Sequence, residues 1–194
     1  MICVSIICPK KNVMIEISSN YHCEKKRLLT LQQEKTNRMK YYYTLEYQEN
    51  PAAGNGALSA DRDAVTSFLD GHAPDAILDA FVRQIGRMTS GGKDGWEICF
   101  VPGDSSEATA RRYSSLAESL RRRTGVDTRM NVLSWKSSRT SRFPEFSCSL
   151  DGKKNIILID GLVDSGRTIN AAAAALVGAG ARSVTGLVAG KTVA

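Results

Sequence analysis

A chain of 194 residues with a formal net charge of +6 is long enough for one α/β domain with a substantial core and a modest appendage, and too short for two domains of typical size. The basicity is local. Residues 1–40 carry eight Lys or Arg against three Glu, which leaves eighteen against seventeen for the remainder, and a nearly neutral globular part argues against a surface built to coat nucleic acid.

Five cysteines, Cys3, Cys8, Cys23, Cys99 and Cys148, show no paired spacing of a metal site or a disulfide framework, which fits a reducing cytoplasm. No apolar run approaches the ~20 residues a membrane helix needs. Residues 1–8 are apolar but lack a basic lead, so they do not read as a signal peptide. Residues 9–38 mix Lys, Asn, Ser, Gln and Glu without lasting periodicity. Residues 1–38 are therefore expected to be a poorly ordered extension, with Met39 the natural beginning of the domain at 39–194. The rival role for that extension is a basic tail touching nucleic acid.

Residues 40–48 have the Tyr-rich composition of a strand, expected at an edge or in a hood. Residues 61–70 and 74–88 read as helices. In the second, Ile77, Leu78, Phe81, Val82 and Ile85 recur at helical spacing, with Pro74 admissible at its start. A central strand is expected over 96–101, followed by a loop containing Gly103, Asp104, Ser105 and Ser106. Its amides and hydroxyls either meet an anion at a helix N-terminus or simply cap that helix, with Glu107 complementing the dipole. The helix over 107–124 carries Tyr113, Leu116, Ala117 and Leu120 on one stripe and ends at Gly125. Of its arginines, Arg121 to Arg123 read as a solvated face, whereas Arg111 and Arg112 lie within two turns of the proposed anion end and suit phosphate oxygens. Residues 126–135 are expected to form one strand, leading into a basic, polar loop over 136–144 that is either an ordinary surface loop or a mobile flap.

The run Ile156, Ile157, Leu158, Ile159 reads as a strand buried on both faces, as in a parallel sheet. It ends in Asp160 and is followed by Asp164, Ser165, Gly166, Arg167, Thr168 and an Ala-rich helix to Gly178. The first amides of a helix have no intrahelical partner and carry partial positive charge, so such a loop can hold phosphate. Gly166 permits close backbone approach, Ser165 and Thr168 add hydroxyls, and Asp160 suits a sugar hydroxyl or Mg²⁺. The alternative is a structural strand-to-helix turn with an Asp or Ser cap. A last strand is expected over 185–189, with Lys191 just beyond it. The fold class expected is α/β, a mostly parallel sheet with helices on both faces.

Residues 156–168 resemble the phosphoribosyl-pyrophosphate motif of type I phosphoribosyltransferases: a hydrophobic strand, an acidic residue, then Asp or Thr, a small residue, Gly, any residue and Thr. The similarity runs in order over residues 96–194 and is nearest the competence-associated branch of that family. The resemblance implies a 5′-phosphate loop at Asp164, Ser165, Gly166, Arg167 and Thr168, and catalytic roles for Asp160 and Asp164. Asp160 would hold the ribose hydroxyls and Mg²⁺. It further implies a pyrophosphate loop at Gly103, Asp104 and Ser105, a flap over 136–144, and an approach of Lys191 to the acceptor base. Gly161 stands where the family has a second acid, so Gly161→Asp is expected to restore an acidic pair. The implied partner is a phosphorylated ribose. Two alternatives remain: a binding module that senses that ligand without turnover, and a DNA-uptake protein using Arg139, Arg142 and the basic tail. A homodimer is left open.

Overall fold

A computed structural model describes residues 32–35, 39–49, 56–138 and 140–193, which contain eight strands and four helices. Six strands form one sheet in the order β1 (Gln32–Lys35), β2 (Lys40–Tyr47), β8 (Ser183–Thr192), β7 (Asn155–Val163), β3 (Trp96–Phe100), β4 (Asp127–Arg129). Every neighbouring pair is parallel except β1 with β2. This is an α/β fold with a mostly parallel sheet, as the hydrophobic runs predict. No helix among the described residues is long and apolar enough to cross a membrane.

The sheet is covered on both faces, which is why Ile156 to Ile159 can be uniformly apolar. On one face α1 (Gly56–Leu69), α2 (Asp75–Met88) and α3 (Ser106–Thr124) enclose Ile77, Phe81, Ile98, Phe100, Tyr113, Ile157 and Ile159. On the other, α4 (Arg167–Gly178) lies beside a two-stranded antiparallel ribbon of β5 (Leu133–Trp135) and β6 (Phe146–Cys148), over Cys99, Val101, Ile156 and Leu158. The alanines of α4 allow close docking. A Cβ at Gly186 would stand 2.7 Å from the Tyr41 Cβ and 3.1 Å from the Ile169 Cδ1, so the strand beneath must lack one there.

Four expectations change. Residues 32–35 do not belong to a poorly ordered extension: they pair with β2 from Gln32 opposite Tyr43 to Lys35 opposite Lys40, and the Tyr43 hydroxyl donates to Gln32 Oε1 at 2.7 Å. The expectations for 1–31 and 36–38 lie outside the described residues. In consequence β2 is not an edge strand but is flanked on both sides. Residues 126–135 are two strands rather than one, because Val132 and Leu133 are both buried beneath the ribbon and the chain leaves the main sheet after Arg129. Finally, β7 does not stop at Asp160. Pairing with β8 continues through Asp160 opposite Val188 to Val163 opposite Lys191.

Removal of β1 should therefore be felt. A chain beginning at Met39 is expected to lose about 1–2 kcal/mol, a fall of a few degrees in Tm for a domain of this size, because β2 then presents an unpaired edge and Tyr43 loses its acceptor. Calorimetry of the two chains checks this, and identical melting curves would remove any role for the strand.

Candidate functional site

The loops that follow the parallel strands β3 and β7 lie at the carboxyl end of the sheet. There the segment between β7 and α4 is held by Gly166, whose φ of 73° is the left-handed conformation that glycine adopts at low cost. Gly166 caps α4 without any side-chain hydrogen bond to the helix amides. The carbonyl of Gly166 accepts from Asn170, starting the helical ladder, while the amides of the first turn precede any intrahelical acceptor. Arg167 Nε donates to Ser165 Oγ at 3.2 Å, which folds the loop over itself.

A cleft of about 310 Å³ opens against this turn, lined by Asp160, Asp164, Ser165, Gly166, Arg167 and Thr168 from one side and by Thr140, Ser141 and Pro144 from the other. Asp160 is 9 % exposed and accepts the Gly161 amide at 2.7 Å. A buried carboxylate, a helix N-terminus without a side-chain cap and four hydroxyl-bearing residues, Thr140, Ser141, Ser165 and Thr168, therefore meet in one place. The loop over 136–144 is the tip of the β5–β6 ribbon, and its Thr140, Ser141 and Pro144 line the cleft opposite the β7–α4 turn. Ser141 and Ser138 organise that tip through local hydrogen bonds to Phe143 and Thr140. Arg139 lies outside the described residues, and Arg142 stacks over Phe143, 5.7 Å from the ring centre.

The other predicted residues fall elsewhere. Gly103, Asp104 and Ser105 line a second, larger cavity rather than this cleft. Gly103 and Ser105 are engaged locally: the Gly103 amide donates to Thr109 Oγ1 at 2.9 Å, and Ser105 Oγ accepts from the Ala108 amide at 3.1 Å as the cap of α3. Glu107 completes that terminus, its carboxyl held below the usual range by a backbone amide and by the Ser105 and Ser106 hydroxyls. The capping role accounts for this loop more fully than anion binding does. Arg112 turns to α1, donating from Nε to the Leu69 carbonyl at 3.1 Å, and neither it nor Arg111 lines the cleft. Lys191 is a β8 residue beside Val163, with Nζ 5.6 Å from the centre of the Tyr43 ring.

Gly161 is also placed differently from the expectation. In β2, β8 and β7 the in-and-out alternation reverses at one level: Tyr43 and Leu158 face α4, whereas Leu45 and Leu162, of the same parity, face α1. Gly161 sits at that reversal, and a Cβ built on it would point at Leu69 Cδ2, 2.4 Å away, with Phe68 behind. Position 161 thus faces the helical core, while Asp160 faces the cleft.

Among the described residues, no group of three or more His, Cys, Asp or Glu side chains is arranged to hold a metal ion. Burial first, and the neighbouring Glu97 second, push the Cys99 thiol well above its ordinary range, so it is a core residue and not a nucleophile. Burial likewise raises Cys148. Compared with known proteins, the chain matches no family model and no curated protein sequence.

Proposed function

We propose that the cleft between the β7–α4 turn and the ribbon tip binds the 5′-phosphate of a phosphorylated ribose, with phosphoribosyl pyrophosphate as the complete ligand, in a phosphoribosyltransferase-like fold. The observation that carries this reading is the turn itself: a left-handed Gly166 opening a twelve-residue helix with no side-chain cap, beside a cleft that also contains Asp160. Unlike α3, which Ser105 caps, α4 leaves its first amides without a side-chain acceptor. The phosphate would take the place of that cap, accepting from the first-turn amides and the Thr168 hydroxyl.

Asp160 and Asp164 line the same cleft, and two carboxylates with ligand phosphates are a sufficient donor set for Mg²⁺, which retains most of its water shell. Bound Mg²⁺ would supply charge neutralisation for a pyrophosphate leaving group. The reaction proposed is transfer of the ribosyl 5-phosphate group to a nitrogen nucleophile, in which the C1–N bond forms as the bond from C1 to the pyrophosphate oxygen breaks. The chain's own part is to anchor the 5′-phosphate, orient the ribose against Asp160 and exclude water beneath the ribbon tip. A second reading, a module that senses ligand occupancy without turnover, is favoured by the internal engagement of Gly103 and Ser105 and by the orientation of Gly161.

Ribose 5-phosphate alone is expected to raise the Tm of the wild-type chain, because ligand binding to the folded state adds RT ln(1 + [L]/Kd) to its stability. Thr168→Ala is expected to weaken that binding by about 1–3 kcal/mol through loss of a donor to a charged oxygen. No ligand-dependent shift at millimolar concentration would overturn the phosphate reading. Release of pyrophosphate on addition of nitrogen bases then separates the transferase from the sensor.

A further inference from the structure

The second cavity, of about 630 Å³, is twice the volume of the phosphate cleft and takes no part in the reading above. It lies between the loop leading into α3, the first turns of that helix and the chain passing from β4 to β5. Much of its wall is apolar, supplied by Pro102, Ala110, Met130, Leu133 and Trp135, and Asn131 is among its polar lining residues. The volume is that of a pocket for a drug-sized or cofactor-sized molecule.

The polar groups of this cavity tell what kind of molecule fits. The helix terminus beside it is already complemented by Ser105 and Glu107. Arg129, the cation at the wall, is paired with buried Glu97 at 3.6 Å and with Asp151 at 3.3 Å. Asp104 adds an exposed negative charge to the lining. An anion entering here would meet the Asp104 carboxylate, while Arg129, the cation among the lining residues, is already paired, so the pocket disfavours it. What it offers instead is flat and rigid. The indole of Trp135 is fixed at both ends, by donation from Nε1 to the Pro102 carbonyl at 3.2 Å and by packing on Phe146, ring centres 4.4 Å apart. Met130 and Asn131 line the same cavity and supply a polarisable sulfur and an amide with both donors and an acceptor.

We propose that this cavity binds an uncharged, planar heteroaromatic molecule of about two fused rings, laid against Trp135 and hydrogen-bonded at its edge by Asn131. The site is independent of phosphate binding at Ser165 to Thr168, and stands if that reading fails. Trp135 and Met130 hold the ring faces, and Asn131 selects an edge carrying both a donor and an acceptor.

The test uses an isosteric pair, quinoline-2-carboxamide and quinoline-2-carboxylate, on the full chain, with ligand-observed saturation-transfer NMR and titration calorimetry. The carboxamide is expected to bind saturably and at least fivefold more tightly than the carboxylate. Trp135 emission, isolated by Trp96→Phe, should change along the same titration curve. Ala110→Phe fills the cavity from an exposed helix position and is expected to abolish carboxamide binding with the Tm unchanged, and Asn131→Ala to weaken it about fivefold. Ribose 5-phosphate shifts in Ala110→Phe report the phosphate cleft separately and should persist. Absence of carboxamide binding at millimolar concentration, equal binding of the carboxylate, or undiminished binding in Ala110→Phe would each overturn the proposal.

Discussion

Lys154→Met is expected to lower stability by about 3 kcal/mol, whereas Glu97→Gln, which alters the other half of the same ion pair, is expected to cost about 1 kcal/mol. The asymmetry follows from exposure. The Glu97 side chain is 0 % exposed, while those of Lys154 and Arg129 are 33 % and 32 % exposed. Glu97 Oε2 accepts from Lys154 Nζ at 2.5 Å, and Oε1 takes Arg129 at 3.6 Å and the Cys99 thiol at 3.7 Å. Removing the ammonium leaves a buried carboxylate with only the more distant guanidinium, and Glu97 has no route to water. Replacing the carboxylate by an amide keeps an acceptor for Lys154 and lets both cations turn outward. Methionine preserves most of the lysine stem, so lost packing does not account for the difference. Urea unfolding with an unchanged slope measures it. Equal costs, or the reverse order, would show that the carboxylate is hydrated in solution. The pair lies near the start of β3, away from the loops that follow the strands, so ribose 5-phosphate binding should be the same in both variants.

The elements legible in the sequence are those whose signal is local. The apolar face of α2, the Gly125 end of α3 and the buried run of β7 are each contained in one stretch of chain and form where expected, while of the two roles open to the loop before α3 Ser105 takes the capping one. The turn from β7 into α4 belongs with them, since a strand, a glycine and a helix in that order are enough to predict it. What was not legible depends on partners far along the chain. The polar residues of β1 have no hydrophobic alternation and form a strand only because β2 offers an edge and a tyrosine hydroxyl. The break between β4 and β5 is set by the ribbon's burial over α4, which no property of residues 126–135 reveals. Glu97 did leave a trace, a charged residue within an apolar strand, but its partner Lys154 lies fifty-seven positions away. The second cavity has no sequence motif because its walls come from two separate segments, 102–110 and 128–135.

Gly161→Asp is expected to destabilise the fold by about 3 kcal/mol and to leave ligand binding no tighter. The position is in the strand next to Asp160, and on sequence alone a second acid there would complete an acidic pair. The strand does not present it that way. At the shared reversal of alternation in β2, β8 and β7, Gly161 turns toward α1, where a Cβ would meet Leu69 Cδ2 at 2.4 Å and Phe68 Cδ1 at 3.7 Å. Leu69 is a partly buried side chain on the last turn of α1, so it can rotate to admit one methyl group. Gly161→Ala should therefore cost about 1 kcal/mol. A carboxylate asks for more, because it enters an apolar cluster containing Phe68, Leu69 and Leu162. Its neutral form is favoured there, so the loss should be smaller at acidic pH than at neutral pH. The sign is fixed by linkage: a carboxyl whose folded-state proton affinity is raised by burial destabilises above its unfolded pKa and ceases to do so below it. Chemical unfolding of wild type, Gly161→Ala and Gly161→Asp at two pH values, with ribose 5-phosphate and Mg²⁺ titrations alongside, measures both effects. A Gly161→Asp chain of wild-type stability that binds ligand more tightly with Mg²⁺ would mean that the strand can turn position 161 into the cleft, and the orientation argued here would be wrong.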